Sequence, residues 1–486
     1  MPNIDCSYGQ SKKSKNNTTL PVEISTYKND ISRRILSVVN PEAFLRLVKL
    51  ISVNWLDIKR FSFSENSLSP ITYLRSYRDD DLLEEINSES IREINRAKSD
   101  FVEGVKNCIR TSLGYQYRLK VDVANCYNSI YTHSVAWAIC GKEQAKAYMR
   151  THAPQSIKNE YELSDSLDAF MRFQKNNETN GIVVGPFTSR IFSEIVLASI
   201  DKNLRGKGFV FRRYVDDYKF YFRSETDAEE SVRQIEKILN DFNLNLNLSK
   251  TEIRRFPYEL LSDMQNAYSI ALKKDGIFGV LNAASAFHTA GEKGAYKYAL
   301  KYIRNSKLDV PTFNLVFPML VNVMLLDPKY GKYVIAFMKK NKANIDTNKL
   351  TDIANSELRQ SLSQELQQES LLFLYLIHDI RLPITAENII GVLRSRDDFS
   401  IIMALDIWKH HNSLVRRTRQ EASTVKKVIR ELINELTGET YAGARWLLLY
   451  EIKRHCLLPI QEYTPIPLTP FFQLLDQNGI SFYESK

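Results

Sequence analysis

Two adjacent acids, Asp216 and Asp217, follow Tyr214 and Val215 within a run of strand-forming residues. Aromatic and β-branched residues are enriched in β-strands, and they flank this polar tip on both sides. The pattern predicts a β-hairpin with both acids at its turn. Other acidic doublets in the chain look similar, so the pair indicates a metal site only if a neighbouring strand supplies a third carboxylate.

Asp122 is the candidate for that third carboxylate. Residues 115–123 alternate between apolar and polar side chains, which predicts a β-strand with Asp122 on its polar face. An ordinary half-buried edge strand would show the same alternation, but the chain becomes apolar directly after Asp122. Asp122, Asp216 and Asp217 together match the palm arrangement of nucleotide polymerases.

Nucleotidyl transfer uses one metal ion to activate the attacking hydroxyl and a second to steady the triphosphate and the leaving oxygen. Mg²⁺ takes one or two carboxylates together with phosphate oxygens and waters. We therefore expect two Mg²⁺ ions, with Mn²⁺ as the alternative metal. Asp122 and Asp216 are the expected principal ligands, Asp217 is a supporting one, and Val123 belongs to the same ligand set.

Size and charge are compatible with such an enzyme. The 486 residues suffice for two or three domains, and the 66 lysines and arginines against 57 acids favour an anionic partner. Five scattered cysteines without metal-ligand spacing favour a reducing cytoplasm. The chain opens with no signal peptide, and its apolar runs are too short for a bilayer, so we expect no membrane association.

The expected fold class is α+β, with three regions. Residues 1–20 are predicted to be a mobile tail, 21–262 a fingers and palm domain, and 263–486 an all-α, HEAT-like repeat domain in place of a thumb. In the first half of the chain we expect two helices between Ile31 and Ile58 and one helix from Leu82 to Ile109. In the second half we expect a helix over 425–436, capped by Ser423 or Thr424, and an extended tail over the last thirty residues.

The motifs resemble those of reverse transcriptases. Residues 121–127 are similar to the first catalytic block of that family, 214–217 to its Tyr-x-Asp-Asp block, and 246–251 to the block that carries a lysine, here Lys250. The resemblance implies that Tyr127 is the steric gate, whose ring excludes a ribose 2′-hydroxyl, so deoxynucleoside triphosphates are the expected substrates. A buried core aromatic is the alternative role for Tyr127.

One loop departs from the family. Val183-Val184-Gly185 stands where the family has Pro-Gln-Gly, so the glutamine near the nucleotide and template is missing, although Val184 and Gly185 remain expected substrate contacts. Residues 128–134 and 185–191 resemble the abortive-infection (Abi) group, of the AbiK and AbiA type. That resemblance implies a role in phage defence and DNA synthesis without a template. It also implies that a protein hydroxyl acts as the primer, that the single-stranded DNA product stays covalently attached to it, and that the protein forms a symmetric homo-oligomer.

Several assignments rest on position and charge. Tyr8 on the tail is the first candidate for the priming residue, and Tyr27 is the second. Lys250 has motif support as a catalytic cation. Arg118, Lys120, Arg75 and Arg78 are candidates for holding the triphosphate. A basic stretch could line a channel for single-stranded DNA or form a solvated helix face, and its His410-His411 pair lacks the spacing of a zinc site. The basic stretch comprises Lys409, His410, His411, Arg416, Arg417, Arg419, Lys426, Lys427 and Arg430.

Two other functions remain open from the sequence. The chain could be a conventional reverse transcriptase that copies a bound RNA, or a helical interaction scaffold with a relic palm. The complete acid set and the aromatic at position 127 argue against a relic.

Overall fold

The computed structural model describes residues 18–29, 31–69, 103–258, 264–292, 294–303, 306–459 and 465–484. These residues form two compact units. The sheet unit comprises described residues 37–258 together with 18–21, and the helical unit comprises 22–36 and 264–484. Each unit has its own buried apolar residues.

The sheet unit is built on a four-stranded antiparallel sheet. Its strands are β3 (Tyr117–Asp122), β4 (Phe211–Tyr214), β5 (Asp217–Phe222) and β6 (Glu252–Arg255), in the order β4-β5-β3-β6. The alternation in residues 115–123 forms the strand that the sequence predicts. Leu119 and Val121 of β3 and Phe220 of β5 are fully buried, so β3 and β5 form the centre of the core.

Helices surround this sheet. They are α1 (Pro41–Val53), α2 (Trp55–Phe61), α3 (Cys126–Ser129), α4 (Ser134–Cys140), α5 (Lys142–Thr151), α6 (Lys158–Phe173), α7 (Phe187–Gly206) and α8 (Glu225–Asn240), with a further helical segment at 103–111. Helix α7 is buried on nearly every side, which explains its apolar sequence around Ile191–Ile200. Helix α8 begins at Ser224, whose hydroxyl accepts from the Asp227 N–H.

The helical unit is a succession of helices that pack on one another. They are α9 (Met264–Thr289), α10 (Ala295–Ile303), α11 (Val310–Leu326), α12 (Gly331–Lys340), α13 (Thr347–Ser363), α14 (Gln367–Ile380), α15 (Ala386–Leu393), α16 (Asp398–His410), α17 (Arg419–Leu436), α18 (Trp446–Arg454) and α19 (Pro470–Gln477). Helix α9 is kinked at Gly276, where φ is +62°. Two short strands, β7 (Ile384–Thr385) and β8 (Val415–Arg416), pair in parallel.

An N-terminal hairpin corrects the sequence prediction for residues 31–39. Strand β2 (Arg33–Val38) stands where a helix is expected and pairs with β1 (Val22–Tyr27), and a helix begins only at Pro41. Residues 22–36 group with the helical unit, although the sequence assigns them to the fingers and palm. Arg33 accounts for this grouping, because its guanidinium forms a two-pronged ion pair with Glu369 of α14 at 2.7 and 2.8 Å.

Two further expectations need correction. The N-cap of helix α17 is Thr418 and not Ser423 or Thr424. Thr418 and Glu421 form a reciprocal capping box just before and within the first turn. The C-terminal residues are not entirely extended, since α19 lies within them. Most of the predicted helix from Leu82 to Ile109 lies outside the described residues. Among the helices that the structure describes, none is long and apolar enough to cross a bilayer.

The capping box gives a test of where α17 begins. Thr418→Ala removes the acceptor for the Glu421 N–H, which costs about 1 kcal/mol. We expect hydrogen–deuterium exchange in the first turn of α17 to become about fivefold faster. Ser423→Ala is the matched control, because Ser423 is exposed within the helix, and it should leave the exchange unchanged. A larger effect from Ser423→Ala would contradict the assigned start.

Candidate active site

The turn between β4 and β5 carries the acidic pair. Tyr214 pairs with Asp217 across the hairpin, so Val215 and Asp216 form a two-residue turn. Val215 has φ +55°, a left-handed conformation that is unfavourable for a β-branched residue by about 1–3 kcal/mol. Surrounding contacts must therefore hold the turn in place.

The contact that holds it comes from Arg213. One guanidinium nitrogen of Arg213 donates to the Val215 carbonyl at 2.8 Å. The rest of the fork binds two acids of α7, with Nε 2.9 and 3.0 Å from the carboxylate oxygens of Asp201 and the terminal nitrogens 3.1 Å from those of Glu194. Burial opposes the charge of Arg213, but Asp201 and Glu194 outweigh it and raise the Arg213 pKa. The turn is thus tied to the most buried helix of the sheet unit.

The central strand brings the third carboxylate to this turn. Asp122 pairs with Asp217 at the end of β3, and the Val123 N–H donates to the Asp216 carbonyl at 3.2 Å. All three predicted acids therefore meet at one end of the sheet. The side chain of Val123 is buried and apolar, so only its main-chain carbonyl could take part in a metal site.

Lys250 and Asn247 both contact Asp122. The Lys250 ammonium lies 2.9 Å from Asp122 Oδ2, and the Asn247 amide donates to the same oxygen at 3.0 Å. A 3₁₀ turn at Leu248–Lys250 positions the lysine, and the Asn247 N–H donates to the Asp122 carbonyl at 2.8 Å. The sequence analysis identifies Lys250 but misses Asn247, although Asn247 lies in the same motif block.

The electrostatics of the site favour a cation. Burial raises the pKa of Asp216, and the neighbouring carboxylates of Asp217 and Asp122 raise it further, against the opposing effect of Lys250. Three carboxylates brought together by strand pairing repel one another, and a hard divalent cation with oxygen ligands would relieve that repulsion. The donor set therefore fits the Mg²⁺ ions expected from the sequence.

Tyr127 lies on α3, directly after β3. Its ring packs against the core of the sheet unit, and its hydroxyl lies 3.5 Å from the hydroxyl of Ser193. Burial raises the pKa of Tyr127, and the charge of Asp216 adds to the effect. The ring is only partly buried, and its role as a steric gate stays a prediction.

A glycine-containing loop holds the helix of Tyr127. The Ile182 N–H donates to the Tyr127 carbonyl at 2.8 Å. Gly181 has φ +76°, and a Cβ there would lie 2.8 Å from the Asn128 carbonyl oxygen, so only glycine fits. Farther along the loop, the Val184 carbonyl accepts from the Ser37 N–H at 2.7 Å, and Gly185 is exposed. Contact of Val184 and Gly185 with a nucleotide stays a prediction.

The other predicted substrate contacts that the structure describes, Arg118 and Lys120, lie on the same strand as Asp122. Arg118 is buried, donates to the Tyr258 carbonyl and lies 5.7 Å from the centre of the Tyr258 ring. Lys120 shares the face of β3 with Asp122 and stands opposite Lys219 and Glu252. A phosphate contact from Arg118 or Lys120 stays a prediction, and Arg75 and Arg78 lie outside the described residues.

The two priming candidates differ in what the structure says of them. Tyr8 lies outside the described residues. Tyr27 ends β1 in the helical unit, where its N–H donates to the side chain of Gln368 at 2.7 Å and Lys329 lies 5.0 Å from the centre of its ring. A priming role for either tyrosine stays a prediction.

A family model described as reverse transcriptase (RNA-dependent DNA polymerase) matches residues 72–286. The chain contains a reverse transcriptase domain. The matched span holds Tyr127, the three acids and Lys250. The reverse transcriptase domain supports nucleotidyl transfer as the chemistry, and polymerases of this type use divalent metal ions. The α+β fold class with a helical domain is confirmed.

Solved telomerase structures are distantly similar to the chain, whereas no curated protein is significantly similar to it. A C-terminally truncated apo telomerase from Candida tropicalis is 15% identical with a TM-score of 0.29, over 49% of this chain and 50% of the telomerase. Apo telomerase from the same organism is 12% identical with a TM-score of 0.34, over 89% and 69%. Telomerase from Candida albicans with a fragment of telomeric RNA is 12% identical with a TM-score of 0.27, over 73% and 65%. The chain thus spans about half of the first structure, and TM-scores this low support no conclusion about activity.

The buried ion pairs of Arg213 give a test of what holds the acidic turn. Arg213→Met leaves Glu194 and Asp201 buried without their cation, which costs about 3–5 kcal/mol. We expect hydrogen–deuterium exchange in β3 and β5 to become about a hundredfold faster or more.

The matched control is Arg205→Met on the same helix as the two acids. Arg205 forms an exposed ion pair with Glu65, so its loss should cost about 1 kcal/mol or less. Equal effects of Arg213→Met and Arg205→Met would contradict the anchoring role of Arg213.

Proposed function

We propose that the chain is a DNA polymerase of reverse-transcriptase type that adds deoxynucleotides with two Mg²⁺ ions. It extends a protein-linked strand without a template, in defence against phage. The observation that carries the polymerase chemistry is the convergence of Asp122, Asp216 and Asp217 at one sheet end, beside Lys250 and Tyr127. Template independence, protein priming and defence are supported by the resemblance to the Abi group.

Each residue of the site has a distinct task. Bound divalent ions would supply Lewis-acid activation of the attacking hydroxyl and charge stabilisation at the triphosphate. Asp122 and Asp216 would hold these ions, and Asp217 would support them from the paired strand. Lys250 is more than half exposed while it contacts Asp122, so its ammonium can turn towards the phosphates of an incoming nucleotide.

Substrate choice depends on Tyr127. The main-chain bond from Ile182 and the packing against the core restrict where the ring can lie. A ring that cannot withdraw leaves no room for a ribose 2′-hydroxyl, so deoxynucleotides are preferred.

One feature of the loop supports synthesis without a template. Val184 stands where the family has glutamine, and its side chain offers no hydrogen-bonding group.

Two other candidates are tested beside this one. A conventional reverse transcriptase that copies RNA is the second candidate, favoured by the match to the family model. A scaffold with a relic palm is the third candidate, and the presence of all three acids together with Lys250 and Tyr127 argues against it.

The helical unit offers a surface for the single-stranded DNA product. Most side chains of the basic stretch are exposed, and the Arg417 guanidinium lies 4.7 Å from the centre of the Trp408 ring. Cations that track a phosphate backbone beside aromatic rings are typical of single-strand binding.

We further propose that Tyr8 or Tyr27 carries the DNA and that the protein acts in the cytoplasm as a symmetric homo-oligomer.

A template-free synthesis assay tests the proposal. Purified chain with Mg²⁺ and labelled deoxynucleotides alone should give product that migrates with the polypeptide. Asp216→Asn should lower the yield about a thousandfold or more, because metal-assisted charge stabilisation supplies several kcal/mol. Asp241→Asn, at an exposed acid of the same unit, should leave the yield unchanged.

Each part of the proposal can fail separately in this assay. Product that phenol extracts free of protein would contradict protein priming. Product whose composition follows an added RNA would establish templated copying in place of untemplated synthesis. Full phage protection by Asp216→Asn would favour the scaffold.

Substitution of the gate tests the role of Tyr127. Tyr127→Ala should reduce discrimination against ribonucleotides by about 10- to 100-fold, because a steric contact of this size is worth roughly 1–3 kcal/mol. The measurement is kcat/KM for a deoxynucleotide and its ribonucleotide counterpart. Tyr127→Phe keeps the ring and should keep the discrimination. Unchanged discrimination in Tyr127→Ala would assign Tyr127 to core packing alone.

A further inference from the structure

A cluster of metal-ligating side chains lies in the helical unit. His378 of α14 meets Asp406 of α16 and His411, which directly follows α16. One ligand atom from each of these three residues lies within 4.8 Å of the other two. The sequence analysis considers only the adjacent His410-His411 pair and assigns no zinc, because His378 comes close only through the packing of α14 on α16.

Burial makes this cluster unlike a solvated surface group. Asp406 is fully buried and His378 is only 4% exposed. His378 Nε2 has no hydrogen-bond partner among the described residues, and it lies 3.6 Å from Asp406 Oδ2. A buried imidazole nitrogen without a partner is costly, so its direction towards a carboxylate indicates a missing ligand.

Surrounding groups orient the ligand atoms. Asp379 Oδ1 lies 3.6 Å from His378 Nδ1, so a second carboxylate stands beside the ring nitrogen that does not face Asp406. His410 Nδ1 lies 2.8 Å from the other oxygen of Asp406, and the Tyr483 hydroxyl donates to Asp406 Oδ2 at 2.9 Å. Such outer contacts are typical of the groups that fix metal ligands.

We propose that His378, Asp406 and His411 bind one Zn²⁺ ion. Two imidazoles and a carboxylate are borderline donors that suit Zn²⁺ better than Mg²⁺. Zinc bonds of 2.0–2.1 Å place tetrahedral ligand atoms about 3.3 Å apart. The His378–Asp406 and His411–Asp406 distances of 3.6 and 3.9 Å are close to that value, so small side-chain rotations complete the site.

The proposed ion has a structural role within the helical unit. It links α14 to the end of α16, and through the bond from Tyr483 to Asp406 it also steadies the C-terminal residues. A divalent charge additionally offsets the buried carboxylate of Asp406. The proposed zinc ligands belong to the helical unit and the three carboxylates to the sheet unit, so the zinc proposal does not depend on the proposed function.

Zinc titration of the full chain tests the site. After treatment with a chelator, the chain should bind one Zn²⁺ ion in competition with a chromophoric chelator, and binding should raise its Tm. His378→Gln and His411→Gln should each weaken that binding at least a hundredfold and remove the rise in Tm. His288→Gln is the control, because His288 is an exposed histidine of the same unit, and it should change neither value.

Several results would overturn the site. They are the absence of Zn²⁺ binding by the unsubstituted chain, or binding that is equally tight in His378→Gln and His411→Gln. Co²⁺ gives a measurement that does not depend on how the variants fold. Co²⁺ bound to the unsubstituted chain should show the intense visible absorption of a four- or five-coordinate site, whereas the weak spectrum of the hydrated ion would also overturn the proposal.

Discussion

The buried ion pairs of Arg213 are the interaction on which the acidic end of the sheet depends. They join the turn that carries Asp216 to Glu194 and Asp201, two turns apart on one face of α7. An ion pair in a protein interior does not by itself increase stability, because desolvation offsets the Coulomb attraction. The ion pairs of Arg213 instead fix the conformation of the turn. Arg213 also donates to the Val215 carbonyl and so holds a strained turn in one geometry.

That fixed turn explains how three like charges can lie together. Strand pairing places Asp122 opposite Asp217, and the raised pKa of Asp216 reflects burial together with the charges of the other two acids. Repulsion of this kind would open a flexible loop, but it cannot separate paired strands that are also tied to a buried helix. The site is therefore preorganised for cations, with Lys250 already in contact with Asp122.

The helical unit carries features of its own. It contacts the N-terminal hairpin through the ion pair of Arg33 with Glu369. It presents the basic stretch, which runs from the end of α16 into α17, and it holds the proposed zinc ligands His378 on α14, Asp406 on α16 and His411 just after α16. Both proposals can be examined by substitutions that leave Asp122, Asp216 and Asp217 intact.

The sequence alone predicted polymerase chemistry, because the three acids, Lys250 and Tyr127 lie in short motifs with local strand and turn signals. The same local signals predicted the palm strands and the helical second half. Tertiary structure alone decided the partners of Arg213, the contact of Asn247 with Asp122 and the meeting of His378 with Asp406. It also turned residues 33–38 into a strand, since pairing with β1 outweighs a helical apolar pattern. These features depend on residues far apart in the chain, and local periodicity carries no information about which distant side chains will meet.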